Sequence, residues 1–111
     1  MIFFTDKEVE GLDPVLVAKL NQARQLAGVP FVVNCGYRSP EHNAEIGGVE
    51  DSAHTKGLAV DLACLDSSTR FNIVKGALMS GFRRVEVADK HIHLDIDSTK
   101  PQDVMWIGVS K

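Results

Sequence analysis

Residues 52–62 read SAHTKGLAVDL, and the pattern of this stretch changes at Gly57. After the glycine, apolar residues alternate with small or polar ones, which predicts a β-strand with one apolar face. The apolar positions are Leu58, Val60 and Leu62. Asp61 lies on the other face of this strand, and His54 precedes it. We therefore expect an imidazole and a carboxylate on the polar side of a sheet.

A second alternating run, HIHLDID at residues 91–97, has the same character. Its apolar face is Ile92, Leu94 and Ile96, and its polar face is His91, His93, Asp95 and Asp97. Val85 and Val87 alternate before it, so a tight turn at Asp89-Lys90 predicts a hairpin. If the turn has two residues, Glu86 lies directly opposite His93. Crowded carboxylates and imidazoles of this kind usually have a cation to organise them.

Two histidines and one carboxylate are a usual ligand set for a catalytic zinc ion, with one position left for water. Zinc lowers the pKa of that water to about 7, which creates a nucleophile at neutral pH. A nearby carboxylate or imidazole can then act as general base and later protonate the leaving amine.

The rest of the chain predicts a small α+β protein. Helices are expected over residues 14–27, from Pro40 to the glycines at 47 and 48, and from the Asp66 cap to Gly81. The buried stripe of the last helix is expected at Phe71, Val74, Ala77 and Leu78. A buried strand is expected at residues 31–35, a polar surface loop at 49–56, and a tail around Met105, Trp106 and Ile107 that folds back onto the core.

These elements indicate a mostly antiparallel sheet with helices on one side and the zinc in a cleft on the other face. We expect residues 1–111 to form a single domain.

Composition excludes several classes of protein. The formal net charge is −3 and no basic patch occurs, which argues against a nucleic-acid partner. No apolar run is long enough to cross a membrane, so membrane insertion is not expected. The first residues lack the features of a signal peptide. Cys35 and Cys64 lie in apolar segments and are expected to be buried, unreactive thiols. We expect a monomer.

The sequence resembles the zinc D,D-/L,D-peptidases of the M15 type, which share their fold with the Hedgehog signalling domain. The hallmark Ser-x-His-x-x-Gly-x-Ala-x-Asp is matched by Ser52, His54, Gly57, Ala59 and Asp61. The sequence His91-Ile92-His93 matches the later His-x-His form, and residues 36–43, GYRSPEHN, look like the Gly-Tyr-Arg-Ser segment of the family.

The resemblance implies that residues 1–111 form a single zinc-peptidase catalytic domain, and it implies a role for each matching residue. His54, Asp61 and His93 would bind one Zn²⁺ per chain, and His91 would be the acid/base. Arg38 and Ser52 would hold a substrate carboxylate, and Tyr37 would line the pocket. The Glu-x-x-His form of the base is absent, so His91 is the first candidate for the base. Glu86, on the opposite strand, is the second. Asp95 is interpreted either as a partner that orients a ligand imidazole or as a member of a structural salt bridge.

Members of this family cut peptides that contain D-amino acids, mostly in the peptidoglycan stem or cross-bridge, as endopeptidases or as D-alanyl-D-alanine carboxypeptidases. Similar short chains without a leader are typical of phage and prophage genes. We therefore expect a protein made in the cytoplasm and delivered to the cell wall by a holin or a phage tail. The alternative is a non-catalytic zinc-binding interaction module on the same fold. A D-Ala-D-Ala dipeptidase ranks lower, because it would need extra loops to close its pocket.

Overall fold

A computed structural model of the protein describes residues 2–108. The elements in that part of the chain are α1 (Pro14–Ala27), β1 (Val33–Cys35), α2 (Pro40–Glu45), a 3₁₀ helix (Ala53–Lys56), β2 (Ala59–Ala63), α3 (Ser67–Met79), β3 (Arg84–Val87), β4 (His91–Asp95) and β5 (Val104–Ile107). Among these residues, no helix has both the length and the apolar character needed to cross a membrane.

The five strands form one mixed sheet in the order β1-β2-β4-β3-β5. The first three neighbouring pairs are antiparallel, and β3 and β5 are parallel. The predicted hairpin of β3 and β4 is present, with Glu86 opposite His93. The small α+β fold with a mostly antiparallel sheet, predicted from the alternating patterns, is therefore confirmed.

The first helix has the predicted bounds because both of its ends carry capping residues. Asp13 caps the start by accepting a hydrogen bond from the backbone N–H of Val15, and Pro14 takes the first helical position. Gly28 ends the helix at φ 70°, in the left-handed region that favours glycine. The buried residues of this helix are Leu16, Leu20, Ala23 and Ala27, as the spacing predicts.

The stripe through which helix α3 packs matches the predicted one only in part. Ala77 is buried and Val74 packs against the core, as predicted. The other buried residues are Ile73 and Gly76, whereas Phe71 is 68% exposed and Leu78 is 52% exposed. The reason is Gly76, which lies directly against the Ala23 carbonyl and Ala27 of α1. Because glycine has no side chain, the two helices approach closely at Gly76. Phe71 and Leu78 face outward.

The apolar faces of the strands lie under these helices. Their buried members are Val60, Leu62, Val85, Ile92 and Leu94, which join the buried residues of α1 and α3 in one core. Since side chains alternate along a strand, the intervening residues point to the opposite face of the sheet. The polar face predicted for β2 and β4 therefore lies away from the core, and the core fixes its backbone.

Two predictions near the sheet edges are wrong in detail. The strand expected at 31–35 begins only at Val33, and Val32 is 55% exposed, because β1 is an edge strand. The tail does not fold back onto the core. Instead β5 pairs with β3 and forms the other edge, so Met105 is 50% exposed and Ile107 is 83% exposed.

Candidate active site

One side chain from each strand lies in a single row across the polar face of the sheet. The register pairs Cys35 with Asp61, Asp61 with His93, His93 with Glu86, and Glu86 with Trp106. The strand order therefore brings together residues that are far apart in sequence. Three of the five predicted metal and acid/base residues lie in this row.

His54 reaches the row from the 3₁₀ helix that precedes β2. Ser52 caps that helix by accepting a hydrogen bond from the His54 backbone N–H at 3.2 Å. Gly57 ends it at φ 71° and lies directly against the Gly11 carbonyl, where no side chain would fit. The polar surface loop predicted at 49–56 is therefore wrong from Ser52 onward, since residues 53–56 form the 3₁₀ helix and Ser52 and His54 are both buried.

The Asp61 carboxylate lies between two imidazoles. Its Oδ1 atom is 3.3 Å from Nε2 of His54 and 2.9 Å from Nδ1 of His93. The two rings meet edge to face, with their centroids 5.2 Å apart. The structure thus brings together the three residues that the resemblance implies as metal ligands.

In each imidazole, the ring nitrogen that faces away from Asp61 also has a hydrogen-bond partner. His54 Nδ1 lies 2.9 Å from the Gly36 carbonyl, to which it donates, and His93 Nε2 lies 2.7 Å from Asp95 Oδ2. These contacts leave His54 Nε2 and His93 Nδ1 turned toward Asp61. Acceptors that fix the tautomer and orientation of an imidazole in this way are the usual outer partners of metal-binding histidines.

The Asp61 carboxylate favours the charged forms of both imidazoles, whereas the charge of His54 opposes that of His93. Burial opposes the charged form of His54, but its hydrogen bonds to Asp61 and neighbouring groups outweigh burial and raise its pKa to about 10. Burial likewise opposes ionisation of Asp61, yet the two imidazoles hold the pKa of this carboxyl well below its usual range. The pKa of His93 is raised by Asp61 and Asp95 against the effect of burial.

Asp95 satisfies both interpretations made from the sequence. Besides accepting from His93, it accepts from Arg84 Nε at 2.8 Å and from the Asp97 backbone N–H at 3.0 Å. Asp95 is 1% exposed, and the Arg84 guanidinium also donates to the Pro101 carbonyl. A buried ion pair therefore holds the carboxylate that orients His93. Sequence reasoning missed Arg84, although its position on the polar face of β3 was readable from the alternation.

The two candidates for the acid/base lie side by side. His91 Nε2 is 2.7 Å from Glu86 Oε1, across the β3–β4 hairpin. Both side chains are partly buried, with 19% of His91 and 23% of Glu86 exposed. The imidazole and the carboxylate are therefore within hydrogen-bond distance of each other.

Arg38 approaches the row from the β1 side. Its Nη1 donates to Asn43 Oδ1 at 2.7 Å, and its Nη2 donates to Cys35 Sγ at 3.3 Å. Cys35 Sγ in turn lies 3.7 Å from His54 Nδ1. The prediction of a buried thiol is wrong for Cys35, which is partly exposed, and confirmed for Cys64. The hydrogen bond from His54 lowers the pKa of the Cys35 thiol, an effect that burial opposes and Arg38 reinforces.

Ser52 and Tyr37, the other two residues predicted to contact the substrate, lie in different parts of the structure. Ser52 lines a cleft of about 330 Å³ beside His93. Other residues that line this cleft are Arg84, Glu86, Asp95, Lys100 and Trp106. Tyr37 is 46% exposed and packs against Gly11, so the structure does not place its ring in this cleft. Sequence reasoning also missed Trp106, which the alternation along β5 puts on the polar face.

The sequence of the chain matches a family of peptidases. Residues 1–95 match the family model described as Peptidase M15, and the chain belongs to that family. The M15 resemblance stated from the motifs is confirmed. No curated protein sequence matches the chain.

Among solved structures, the fold is similar to that of the L-Ala D-Glu endopeptidase ChiX of Serratia marcescens, with a TM-score of 0.59. The two sequences are 21% identical, and the similarity covers 86% of this chain and 88% of that one. At this identity the likeness establishes the shared fold.

Proposed function

We propose that the protein is a zinc peptidase that hydrolyses peptide bonds involving D-amino acids in peptidoglycan. The observation that carries this proposal is the Asp61 carboxylate, which lies between one nitrogen of His54 and one of His93 while the other nitrogens are held by acceptors. Membership of the M15 family supports the peptidase activity. We further propose that residues 1–111 act as one catalytic domain.

The distances from Asp61 to each of the two imidazoles suit ligands of one zinc ion. Bonds of about 2.0–2.1 Å in a tetrahedral site put neighbouring ligand atoms roughly 3.3 Å apart. The nitrogen–oxygen distances of 3.3 Å for His54 and 2.9 Å for His93 are close to this spacing. Neutral imidazoles and a carboxylate are also the donor types that zinc takes in catalytic sites.

Cys35 is a competing ligand, since its sulfur groups with His54 and Asp61 as a possible metal site, a set that does not include His93. However, Cys35 Sγ faces His54 Nδ1, the nitrogen that donates to the Gly36 carbonyl. The nitrogen that faces Asp61 is Nε2, on the other side of the ring. We therefore propose His54, Asp61 and His93 as the ligands, with Cys35 outside the set.

When bound, zinc supplies a Lewis acid that activates water for attack on the peptide carbonyl. The Glu86–His91 pair borders the same face, with His91 Nε2 2.7 Å from Glu86 Oε1, and we assign the proton transfers to this pair. Arg38 presents a planar guanidinium, the group best suited to hold a carboxylate of the substrate. Ser52 lines the cleft next to His93 and is positioned to contact the same substrate.

We propose an endopeptidase in preference to a carboxypeptidase, with the bond between L-Ala and D-Glu in the stem peptide as the first substrate to test. This choice is supported by the activity given for the Serratia marcescens protein that shares the fold. D-alanyl-D-alanine carboxypeptidase activity is the second candidate. The cell wall is the proposed site of action.

The test combines metal content with product analysis. Wild type, His54→Ala and His42→Ala are purified without chelators, and zinc is measured by mass spectrometry. His42 is the matched control, because its side chain is 60% exposed on α2. We expect one zinc per chain in wild type and His42→Ala, and none in His54→Ala.

The same three proteins are then incubated with purified sacculi and with synthetic peptides that contain either L-Ala–D-Glu or D-Ala–D-Ala. Release of stem-peptide fragments should follow the zinc content. Hydrolysis that persists in zinc-free protein would contradict the proposal. Zinc binding without release of any fragment would instead support a non-catalytic interaction module.

A further inference from the structure

The row of side chains across the sheet ends at Trp106, which lies beyond the part of the chain that matches the family. The match covers residues 1–95, whereas β5 spans Val104–Ile107. Strand β5 pairs with β3 in parallel and puts Trp106 beside Glu86. The segment after the family match therefore adds a residue to the candidate active site.

Trp106 makes a directed contact with Glu86. The indole Nε1–H donates to Glu86 Oε2 at 3.1 Å, while Glu86 Oε1 lies 2.7 Å from His91 Nε2. Each oxygen of the carboxylate thus has its own partner, one from β5 and one from β4. The indole ring also lies near the Arg84 guanidinium, 4.9 Å from the ring centroid, and its centroid is 5.8 Å from that of His93.

The backbone after β5 confines the same carboxylate. A side chain at Gly108 would collide with the carboxylate of Glu86, and the Gly108 N–H donates to the Val87 carbonyl at 3.0 Å. Glu86 is therefore held between the indole and the backbone at position 108. A glutamate side chain has several rotatable bonds, and an exposed one samples many rotamers. Here the surroundings select the rotamer that faces His91.

We propose that Trp106 is a positioning residue whose indole N–H holds the Glu86 carboxylate against His91. The inference rests on the proposed function, in which the Glu86–His91 pair transfers protons. Trp106 would not touch the reacting atoms. It would act by keeping Glu86 in the conformation that orients the imidazole, a task in which small displacements are costly for the rate.

The contact itself is tested without measuring activity. Trp106 is the single tryptophan of the chain, so its indole N–H gives one resonance in a proton–nitrogen NMR spectrum. Glu86→Gln replaces the charged acceptor by a weaker neutral one, and we expect the indole proton to shift upfield. Ile107→Ala is the control, since Ile107 is 83% exposed on the same strand. An indole resonance that does not move in Glu86→Gln would overturn the inference.

The consequence is tested by kinetics on the zinc-loaded enzyme. Trp106→Phe keeps an aromatic ring and removes the N–H. We expect kcat to fall about tenfold, part of what a general acid–base pair contributes, with KM and zinc content unchanged. The double variant with Glu86→Gln should lose little more than Glu86→Gln alone, because both changes break one chain of contacts. Ile107→Ala should keep the wild-type kcat.

The outcomes separate this inference from the proposed function. A wild-type protein that binds no zinc or cuts no peptide contradicts the proposed function, and the NMR result still decides whether Trp106 holds Glu86. An active wild type with an unchanged kcat in Trp106→Phe overturns the inference alone. Losses that add fully in the double variant would also overturn it, since Trp106 would then act by a route other than Glu86. A thermal melt of each variant identifies any loss that comes from unfolding.

Discussion

Asp95 holds the His93 imidazole from the side opposite to Asp61, with 2.7 Å between Asp95 Oδ2 and His93 Nε2. The carboxylate is itself buried and held by Arg84. Burial raises the pKa of Asp95, but the hydrogen bond from His93 and the neighbouring groups outweigh it and lower the pKa overall. Asp95 therefore remains an acceptor, which keeps a proton on His93 Nε2 and turns Nδ1 toward Asp61.

Asp95→Asn should weaken zinc binding by about 10–100-fold, the usual loss when an outer partner of a ligand histidine is changed. The amide no longer enforces one tautomer of His93. Competition with a chromogenic chelator measures the affinity. Asp97→Asn is the matched control, because it removes another buried carboxylate two residues away that interacts with Lys56 and Thr99. An affinity equal to that of wild type in Asp95→Asn would contradict the proposed role.

Removal of the metal should abolish hydrolysis and leave the protein folded. Without a cation, the Asp61 carboxylate compensates the charged imidazoles of His54 and His93, and the apolar core lies on the other face of the sheet. We expect the chelated protein to keep its circular dichroism spectrum and to unfold at a lower temperature, because a bound ligand stabilises the folded state. Added zinc should restore both activity and stability. Cooperative unfolding on chelation would contradict this expectation.

The sequence was sufficient to predict the parts of the fold that depend on local pattern. Helix α1 has its capping residues and four buried positions in one short segment. The alternation in β2 and β4 assigns Asp61 and His93 to the polar face without knowledge of the sheet order. The matched motif adds His54, which lies outside a strand and which no periodicity would select.

Long-range packing could not be predicted from pattern alone. In helix α3, Gly76 determines which residues lie against α1. A glycine in a helix signals close packing only when the neighbouring helix is known. Cys35 and Trp106 join the candidate site through strand pairing, which places residues from both sheet edges in one row. An apolar run such as VMWI at 104–107 indicates burial, whereas its position at an edge leaves two of its residues exposed.

Cys35 should react with thiol reagents faster than Cys64. The pKa of the Cys35 thiol is lowered chiefly by His54, whereas burial raises the pKa of Cys64. Because the thiolate is the reactive form, iodoacetamide should label Cys35 first. Mass spectrometry of digested protein over a time course identifies the labelled residue. The variant Cys35→Ser should lose the fast phase, and fast labelling of Cys64 would contradict the prediction.

Asp97→Asn should reduce stability at neutral pH. Burial raises the pKa of Asp97, but hydrogen bonds from Thr99 and Lys56 outweigh it and lower the pKa from 3.8 to about 2. A folded pKa below the unfolded one contributes stability that is full above about pH 4 and is lost as the pH falls toward 2. We expect Asp97→Asn to lose about 1 kcal/mol at pH 7, a value reduced for solvent screening at Lys56.

Urea unfolding at pH 7 and pH 3 measures the difference in the free energy of unfolding between wild type and Asp97→Asn. The difference should be smaller at pH 3, because the stability that the Asp97 carboxylate contributes is lost as the pH falls toward 2. Asp103→Asn is the control, since Asp103 forms an exposed ion pair with Arg83. A difference between wild type and Asp97→Asn that stays constant over this range would exclude Asp97 as the source of the pH dependence.

Gly76→Ala tests the close approach of α1 and α3. Alanine favours a helix by about 1 kcal/mol over glycine, so the change would stabilise an isolated helix. Here its Cβ would collide with the Ala23 carbonyl and with Ala27, and overpacking of this kind costs about 1–3 kcal/mol. We expect a net loss of stability in thermal unfolding, whereas Lys75→Ala, at the exposed neighbouring position, should change it little. Because both helices lie on the face opposite His54 and His93, zinc content should remain one per chain. Increased stability in Gly76→Ala would mean that the helix interface has room for a methyl group and that another feature turns Phe71 and Leu78 outward.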